Sequence, residues 1–389
     1  MRPEFNDIAA AVRDFRRDLH RRPELSGGEE STREALCAAL RALGFEPRVS
    51  GDHKGVVALW DAAPGGDGPC IALRADMDAL PLREDSGVPW ASQREGVMHA
   101  CGHDGHMAVL LGVARWLANP GEGKRRFPGP VKLIFQPAEE TGLGAPALIR
   151  EGVLRDPVVK AIFGLHGWPE LPLGTLSVPD RAVMAAVDNF DITLKGVGGH
   201  GAMPHLVRDP VPAAAALIAS AQTLVSRRAS PLDAAVLTFG HVSAGKTHNV
   251  VPETCLLKGT IRTLNPDLRR TLRAEFEKLT AHVAEAHGIE SSLSWIEACP
   301  ATLNDPAMAA LAREGVRASL GDVLRDSPPS MGGEDFSYFL QEVPGAYFWL
   351  GLGMERGGLH NPRFDFNDAA IATGVAAFAG IVERFYREG

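Results

Sequence analysis

The feature that most limits the possible folds is an alternation of strand-like and helix-like runs in the N-terminal part of the chain. Helical spacing of apolar residues over 106–118 and 145–151 falls between several short β-like runs. Those runs are Val56–Trp60, Ile71–Ala75, Val131–Gln136 and Val159–Leu165. Alternation of this kind predicts an α/β domain whose mostly parallel sheet is buried on both faces.

Polar side chains follow three of these strand-like runs at the point where each run ends. Asp76 and Asp78 follow the second run, Glu139 and Glu140 follow the third, and His166 follows the fourth. Because ligands of open α/β sheets bind beyond the carboxyl ends of the strands, these side chains are expected to converge on one crevice.

A dense group of possible metal ligands occupies the eight residues His99–His106. It contains three imidazoles, the thiol of Cys101 and the carboxylate of Asp104, with Gly102 and Gly105 allowing the backbone to turn. Soft and borderline ligands in a loop before a helix are typical of a Zn, Mn or Co site.

A second pattern begins at about Ala186. Its element order is β-α-β-β-α-β, which is the ferredoxin-like split unit. The elements are predicted at Asn189–Gly196, Pro212–Arg228, Ala235–Val242, Glu253–Thr263, Asp267–His287 and Ser291–Ile296. The sequence therefore predicts an inserted α+β domain over 186–297 and an outer domain made of 1–185 and 298–389.

Composition narrows the function classes. The length of 389 residues suits two domains, and the net charge of -8 without a dense basic patch argues against nucleic acid. The N-terminus shows no signal peptide, and the most apolar segment, Val211–Val225, is too short to span a membrane. Five scattered cysteines indicate a reducing compartment, so we expect a cytoplasmic protein that does not bind membranes.

Six motifs occur in an order that resembles a known family. They are Arg74-Ala75-Asp76-Met77-Asp78-Ala79-Leu80-Pro81, His99 to His106, Gln136-Pro137-Ala138-Glu139-Glu140, Gly164-Leu165-His166-Gly167, Gly332-Gly333-Glu334-Asp335-Phe336, and Leu359-His360-Asn361-Pro362 with the following Phe364–Asp368. Together they resemble the two-metal amidohydrolase family of hippurate hydrolases, N-acyl amino acid amidohydrolases and auxin-conjugate hydrolases. That family lies within the aminoacylase and zinc-exopeptidase superfamily, and the resemblance covers almost the whole chain.

The resemblance implies a metal centre and a reaction. The implied ligands of two divalent ions (Zn, Mn, Co or Ni) are Cys101, His103, Glu140, His166 and His360. Cys101 would bridge the ions, and Glu139 would be the general base for attack of a metal-bound hydroxide on the amide of an N-acyl amino acid. The small-molecule substrate would be hippurate-like or N-acetylated.

Further roles implied by the resemblance concern residues outside the ligand set. Asp76 would orient a metal ligand, although Arg74 stands where other branches carry a ligating His. His200 would stabilise the oxyanion across a homodimer interface, and Asn249 and Arg262 would bind the substrate carboxylate. The inserted domain would therefore act as a lid and dimerisation domain of a zinc-exopeptidase-like enzyme.

The sequence leaves several alternatives open. Glu334 and Asp335 fit either a helix N-terminal cap or the floor of the site. A dipeptidase or carboxypeptidase on the same scaffold shares the chemistry, and a catalytically inactive binding protein is a more distant reading.

Overall fold

A computed structural model describes residues 2–50, 54–61, 68–119 and 127–388 of the chain. Within these residues the α-helices α1 to α9, in chain order, span Glu4–Arg21, Glu30–Ala42, His103–Ala118, Gly144–Arg150, Pro210–Arg228, Pro266–Ala286, Pro306–Leu320, Phe336–Glu342 and Ile371–Glu388. The strands β1 to β15 span Arg48–Ser50, Gly55–Trp60, Cys70–Asp76, Val131–Gln136, Val159–Trp168, Leu176–Ser177, Ala182–Met184, Ala186–Lys195, Gly199–His200, Ala235–Ala244, Val250–Val251, Thr254–Thr263, Glu290–Cys299, Thr302–Leu303 and Gly345–Gly351.

The chain divides into two compact units. The large unit comprises residues 1–183, 303–328 and 334–389, and the small unit comprises 184–302 and 329–333. Independent folding of the predicted domains, 1–185 with 298–389 and 186–297, stays a prediction. By packing alone, residues 329–333 group with the small unit.

The large unit is built on a seven-stranded sheet of order β1-β2-β4-β3-β5-β15-β6. Its central strands β4, β3, β5 and β15 are parallel, whereas β1, β2 and β6 join antiparallel at the edges. The expectation of a mostly parallel sheet thus describes its centre, because edge strands of mixed sheets can be added antiparallel. Every residue of β3, β4 and β15 is buried, as continuous apolar runs predict for a sheet covered on both faces.

Helices α1, α3 and α9 form one packed layer of the large unit. Nearly every residue of α3 is buried, so this helix lies in the core rather than at the surface. The stretch Asp368–Arg387, which contains most of α9, is long and apolar enough to cross a membrane, but 78% of its most apolar 18 residues are buried inside the protein. Burial of that extent is what a core helix shows.

The small unit contains a four-stranded antiparallel sheet of order β10-β12-β8-β13. Helices α5 and α6 pack together against this sheet, with Phe190, Leu217 and Phe276 in the shared core. Both helices start with a proline preceded by an Asp or Asn whose side chain accepts a backbone N–H. A short ladder of β9 with β11 places Val250 opposite His200.

Candidate metal centre

Five predicted ligand side chains meet in the large unit, beyond the carboxyl ends of the central strands. The Sγ atom of Cys101 lies 3.3 Å from Nε2 of His166. The Oε1 atom of Glu140 lies 4.0 Å from Nε2 of His103 and 3.6 Å from Nε2 of His360. The parallel register explains the convergence, because Asp76 pairs with Gln136 and Arg74 pairs with Gly164, which levels the ends of three strands.

The local sequence Cys101-Gly102-His103 makes the turn that presents two predicted ligands at the start of α3. Gly102 has φ 92°, a left-handed conformation that favours glycine. Two residues into the helix, a Cβ at Gly105 would lie 2.3 Å from the ring of Phe366. The two glycines therefore serve different purposes, since one turns the backbone and the other admits an aromatic ring.

Hydrogen bonds orient two imidazoles with the same nitrogen towards the cluster. Nδ1 of His103 donates to the carbonyl of Asp78 at 2.8 Å, and Nδ1 of His166 donates to the carbonyl of Gly167 at 2.8 Å. With Nδ1 carrying the proton, Nε2 of each ring offers a lone pair, as metal-ligating histidines require.

Asp78 also holds the segment that carries the paired glutamates. Its carboxylate oxygens accept the backbone N–H groups of Glu139 and Glu140, each at 3.1 Å. The preceding residue, Ala138, has φ 54° and donates its N–H to Glu29 at 2.9 Å. A non-glycine residue in this conformation is strained, and strain of this kind concentrates at functional sites.

Two buried atoms of the cluster have no hydrogen-bond partner among the described residues, and both are metal-ligand atoms by type. They are Nε2 of His103 and Oε1 of Glu140. Buried polar atoms are nearly always satisfied, so an unsatisfied nitrogen and carboxylate oxygen facing each other fit a cation. The thiol of Cys101 and the imidazoles of the cluster are ligand types that suit a transition metal or zinc.

The pKa values of the cluster without a cation show which protonation states a bound cation would change. Burial raises the pKa of Glu140 to about 7, and burial with the nearby carboxylates of Glu140 and Glu139 raises the pKa of the Cys101 thiol well above its usual value. Although burial alone lowers it, the carboxylate of Asp76 holds the pKa of His103 up at about 10. Divalent cations reverse this preference, because a coordinated thiol is deprotonated and a ligating imidazole is neutral.

The candidate ligand atoms form overlapping groups that share Cys101. One group contains Cys101, His103 and His166, and another contains Cys101, Glu140 and His360. Two groups with a common thiol fit the expectation of two ions bridged by Cys101. His360 differs from the others because 55% of its side chain is exposed and its φ is 58°.

Glu139 lies between this cluster and a second set of carboxylates. It groups with His103 and Glu140 on one side and with Glu334 and Asp335 on the other. Burial and the neighbouring carboxylate of Glu334 raise its pKa well above the usual value. A carboxylate with a raised pKa beside a cation site is suited to accepting and returning a proton.

Asp76 contacts a histidine outside the predicted ligand set. Its Oδ1 accepts from Nδ1 of His106 at 2.6 Å, while its distance to Nε2 of His103 is 3.8 Å. Nε2 of His106 accepts the N–H of Gly167 at 2.8 Å, so both ring nitrogens of His106 are already used. Asp76 is thus linked by hydrogen bonds through His106 to the backbone of β5, the strand that carries His166.

Sequence reasoning missed the role of Arg74. Its buried guanidinium donates to Asp76 at 2.6 Å, to Asp335 at 3.0 Å and to Gln136 at 2.8 Å, and it pairs with Glu334 at 3.0 Å. Glu334 and Asp335 therefore belong to a buried ion-pair network, and Glu334 also accepts the N–H of Phe336, the first residue of α8, at 2.9 Å. The available signal was the charged triplet Arg74, Asp76 and Asp78 at the end of a fully apolar run.

The three remaining candidates lie in the small unit. His200 and Asn249 are exposed, and the N–H of Gly201 donates to the carbonyl of Asn249 at 2.8 Å, which brings their segments together. Arg262 lies on β12 and donates to the carbonyl of Met331 at 3.1 Å.

Comparison with known proteins identifies the class. Residues 72–384 match the model of peptidase family M20/M25/M40. The chain is 39% identical over 357 residues to an N-acetyl-L-cysteine deacetylase of Bacillus subtilis, covering 92% of this chain and 84% of the relative. It is 35% identical to an IAA-amino acid hydrolase ILR1-like 2 of Arabidopsis thaliana, covering 99% and 87%.

A solved structure adds the fold and the metal content of a relative. A dinuclear metal-binding peptidase of family M20 from Bacillus subtilis superposes with a TM-score of 0.86 at 33% identity, covering 98% of this chain and 99% of the other. The chain therefore belongs to peptidase family M20/M25/M40, and it is an enzyme of the amidohydrolase branch. The resemblance read from the six motifs is confirmed.

Proposed function

We propose that this enzyme hydrolyses the amide bond of N-acyl amino acids with two divalent metal ions, releasing a carboxylic acid and a free amino acid. The observation that carries the proposal is a cluster of five candidate ligand side chains with Glu139 beside them. Two buried atoms of this cluster, Nε2 of His103 and Oε1 of Glu140, have no hydrogen-bond partner among the described residues. The names of the relatives, a deacetylase of N-acetyl-L-cysteine and an IAA-amino acid hydrolase, support N-acyl amino acids as the substrate class.

The residues of the chain divide the work between holding ions and moving a proton. Cys101, His103, Glu140, His166 and His360 would hold the ions, which supply Lewis acidity and lower the pKa of water. Glu139 takes the proton of the attacking water as the new C–O bond forms. It then returns that proton to the amine nitrogen as the C–N bond breaks, so that it ends the cycle as it began.

The direct test replaces Glu139 with Gln and assays an N-acetyl amino acid and N-benzoylglycine. We expect activity to fall by about 10²–10⁴-fold, the usual contribution of a positioned general base. Metal content measured on the same sample should equal that of the wild type. Glu342→Gln, at an exposed position at the end of α8, is the matched control and should keep full activity.

Two results would contradict the proposal. One is near wild-type turnover by Glu139→Gln with both metals retained. The other is a wild-type enzyme that binds neither Zn, Mn nor Co and turns over no amide. Comparing glycyl and acetyl derivatives of one amino acid separates the N-acyl hydrolase from a dipeptidase, because only a dipeptidase prefers the free amino group.

Predictions for the small unit remain part of this proposal. We propose that it is the ferredoxin-like lid and dimerisation domain, that His200 stabilises the oxyanion, and that Asn249 and Arg262 bind the substrate carboxylate. Arg suits that task because of its forked donor geometry. Sedimentation of the purified protein tests the homodimer, and a monomer at micromolar concentration would remove the basis for a role of His200 across an interface.

A further inference from the structure

A buried arginine in helix α1 joins two segments that each carry a candidate ligand. Arg16 is fully buried, and its Nε lies 2.7 Å from Oδ2 of Asp104. Its Nη2 donates to Oδ1 of Asp365 at 2.5 Å, and its Nη1 lies 3.4 Å from Oδ1 of Asp368. The hydrogen bond to Asp365 fixes a direction, whereas the contact with Asp104 is an ion pair without hydrogen-bond geometry.

The two principal partners of Arg16 are close in sequence to ligands but far from each other. Asp104 follows His103 directly in the first turn of α3, and Asp365 lies on the same loop as His360. One guanidinium therefore sets the distance between the start of α3 and the loop that carries His360.

The His360 loop is largely irregular, so its position depends on contacts with other segments. It begins after Gly351 and contains Gly353 and Gly357, both with positive φ, and His360 itself is half-exposed. The N–H of His360 donates to the carbonyl of Ala100 at 2.8 Å, directly before Cys101. A second backbone bond, from the N–H of Asp85 to the carbonyl of Pro362 at 2.7 Å, ties the loop two residues further on, and side-chain contacts hold the part that follows.

Asp365 supplies those side-chain contacts. Besides Arg16, its carboxylate accepts from Nε1 of Trp90 at 3.0 Å and from Arg356. Its neighbour Phe366 packs against the ring of His106, with 6.0 Å between the centroids, and fills the space above Gly105. The end of the loop is thus anchored to α3 by one ion-pair bridge and one aromatic contact.

We infer that Arg16 is a positioning residue of the metal centre, which holds His360 at the distance from His103 that the second ion requires. The inference rests on the proposed metal binding. A purely structural role predicts a different result, because removing one partner of a buried ion pair destabilises the fold as a whole. Positioning predicts a local loss, confined to metal affinity and to the His360 loop.

The experiment compares two variants of Arg16 with one control variant. Arg16→Met removes the charge and keeps the length, and Arg16→Lys keeps the charge without the fork. Arg17→Met is the control, because Arg17 contacts Asp368 and Trp90 but neither Asp104 nor Asp365. Zinc affinity and stoichiometry are measured by chelator competition, and amide hydrogen exchange is measured on the metal-free proteins.

We expect Arg16→Met and Arg16→Lys to bind one of two zinc equivalents about 10–100-fold more weakly, the usual effect of losing a group that orients a ligand. Exchange over 357–367 should become faster while β3, β4 and β5 keep wild-type protection. Arg17→Met should match the wild type in both measurements. Asp365→Asn should reproduce the zinc loss, and the double variant with Arg16→Met should lose no more than either single variant.

Other outcomes overturn the inference. Unchanged zinc binding in Arg16→Met, or exchange that accelerates equally across the central strands, assigns Arg16 to general stability. If Arg16→Met fails to fold, Arg16→Lys and Asp365→Asn decide, and wild-type zinc affinity in both rejects positioning. A wild type that binds no zinc, manganese or cobalt instead refutes the proposed function, so the two failures are distinguishable.

Discussion

The candidate residues of the two units are held in opposite ways. In the large unit, His103, His166 and Asp76 are buried, and each is fixed by a hydrogen bond with a defined partner atom. In the small unit, His200 and Asn249 are exposed and belong to a short two-stranded ladder and the turn beside it. Buried, hydrogen-bonded side chains lose little freedom on binding a metal, whereas exposed side chains lose more on binding a substrate or partner. The contacts of His200 are local, since its Nδ1 accepts the N–H of Ala202 at 3.0 Å.

The largest expected effect tests the buried candidate residues of the large unit. His103→Ala removes a proposed ligand atom and should lower zinc affinity by more than about 10²-fold, since losing an orienting partner alone costs about 10–100-fold. Activity should fall with it. Chelator competition with the apo protein measures the change.

His99→Ala is an informative companion variant. The nitrogens of His99 are buried without hydrogen-bond partners among the described residues, and it is not a predicted ligand. If it lost as much zinc as His103→Ala, the ligand assignment within His99–His106 would be wrong.

The next effect is a pH dependence of stability that arises from the buried pair His20 and Asp104. Although burial lowers it, the carboxylate of Asp104 holds the pKa of His20 up at about 9, against an ordinary value of 6.5. A raised folded-state pKa means that the stabilisation is fully present below pH 6.5 and is lost as pH rises through about 9. The loss is at most about 3 kcal/mol in the free energy of unfolding.

Urea unfolding of the wild type and of His20→Gln between pH 6 and pH 10 checks this prediction. The wild type should lose stability over that range, and the variant should lose less. Parallel slopes for the two proteins would show that His20 is not the titrating group.

A smaller effect tests the packing above the ligand turn. Gly105→Ala places a Cβ against the ring of Phe366, and overpacking of this kind costs about 1–3 kcal/mol in unfolding free energy. Gly240→Ala in the small unit is the control, because nothing lies within 4 Å of the added Cβ. Equal urea midpoints for both variants would contradict the described position of Phe366.

The smallest expected effect lies on the exposed side. His200→Ala should leave zinc affinity unchanged and alter the free energy of unfolding by less than about 0.5 kcal/mol, as surface substitutions usually do. Its turnover should nevertheless fall if the oxyanion role is right. Loss of zinc in this variant would erase the contrast between the two units.

Much of the fold and of the candidate site could be predicted from patterns local to the sequence. Apolar runs of the length of Ile71–Ala75 and Val131–Gln136 identify buried strands, and the polar residues after them identify the edge of the sheet at which they meet. The turn at Cys101-Gly102-His103 was readable because glycine allows the backbone to turn between two candidate ligands. The antiparallel edges of the large sheet were not readable, because the order and direction of strands depend on pairing between segments that are distant in sequence.

The roles of several charged residues could not be predicted for a different reason. Asp78 looked like one more polar residue after a strand, yet it fixes the backbone of both glutamates. Glu334 and Asp335 left two readings open until their shared partner, Arg74, was located. Such assignments need the direction of each donor and acceptor, and sequence spacing carries no direction.

The sequence by itself determined the family, the alternation of strands and helices, and the identity of the residues offered for metal binding. Only the tertiary structure decided which nitrogen of His103 faces the cluster, and that Arg16 joins Asp104 to Asp365 across the chain. The physical reason is that ligand identity is a property of side-chain chemistry. Ligand position is a property of packing between segments that are distant in sequence, and burial gives those contacts their strength.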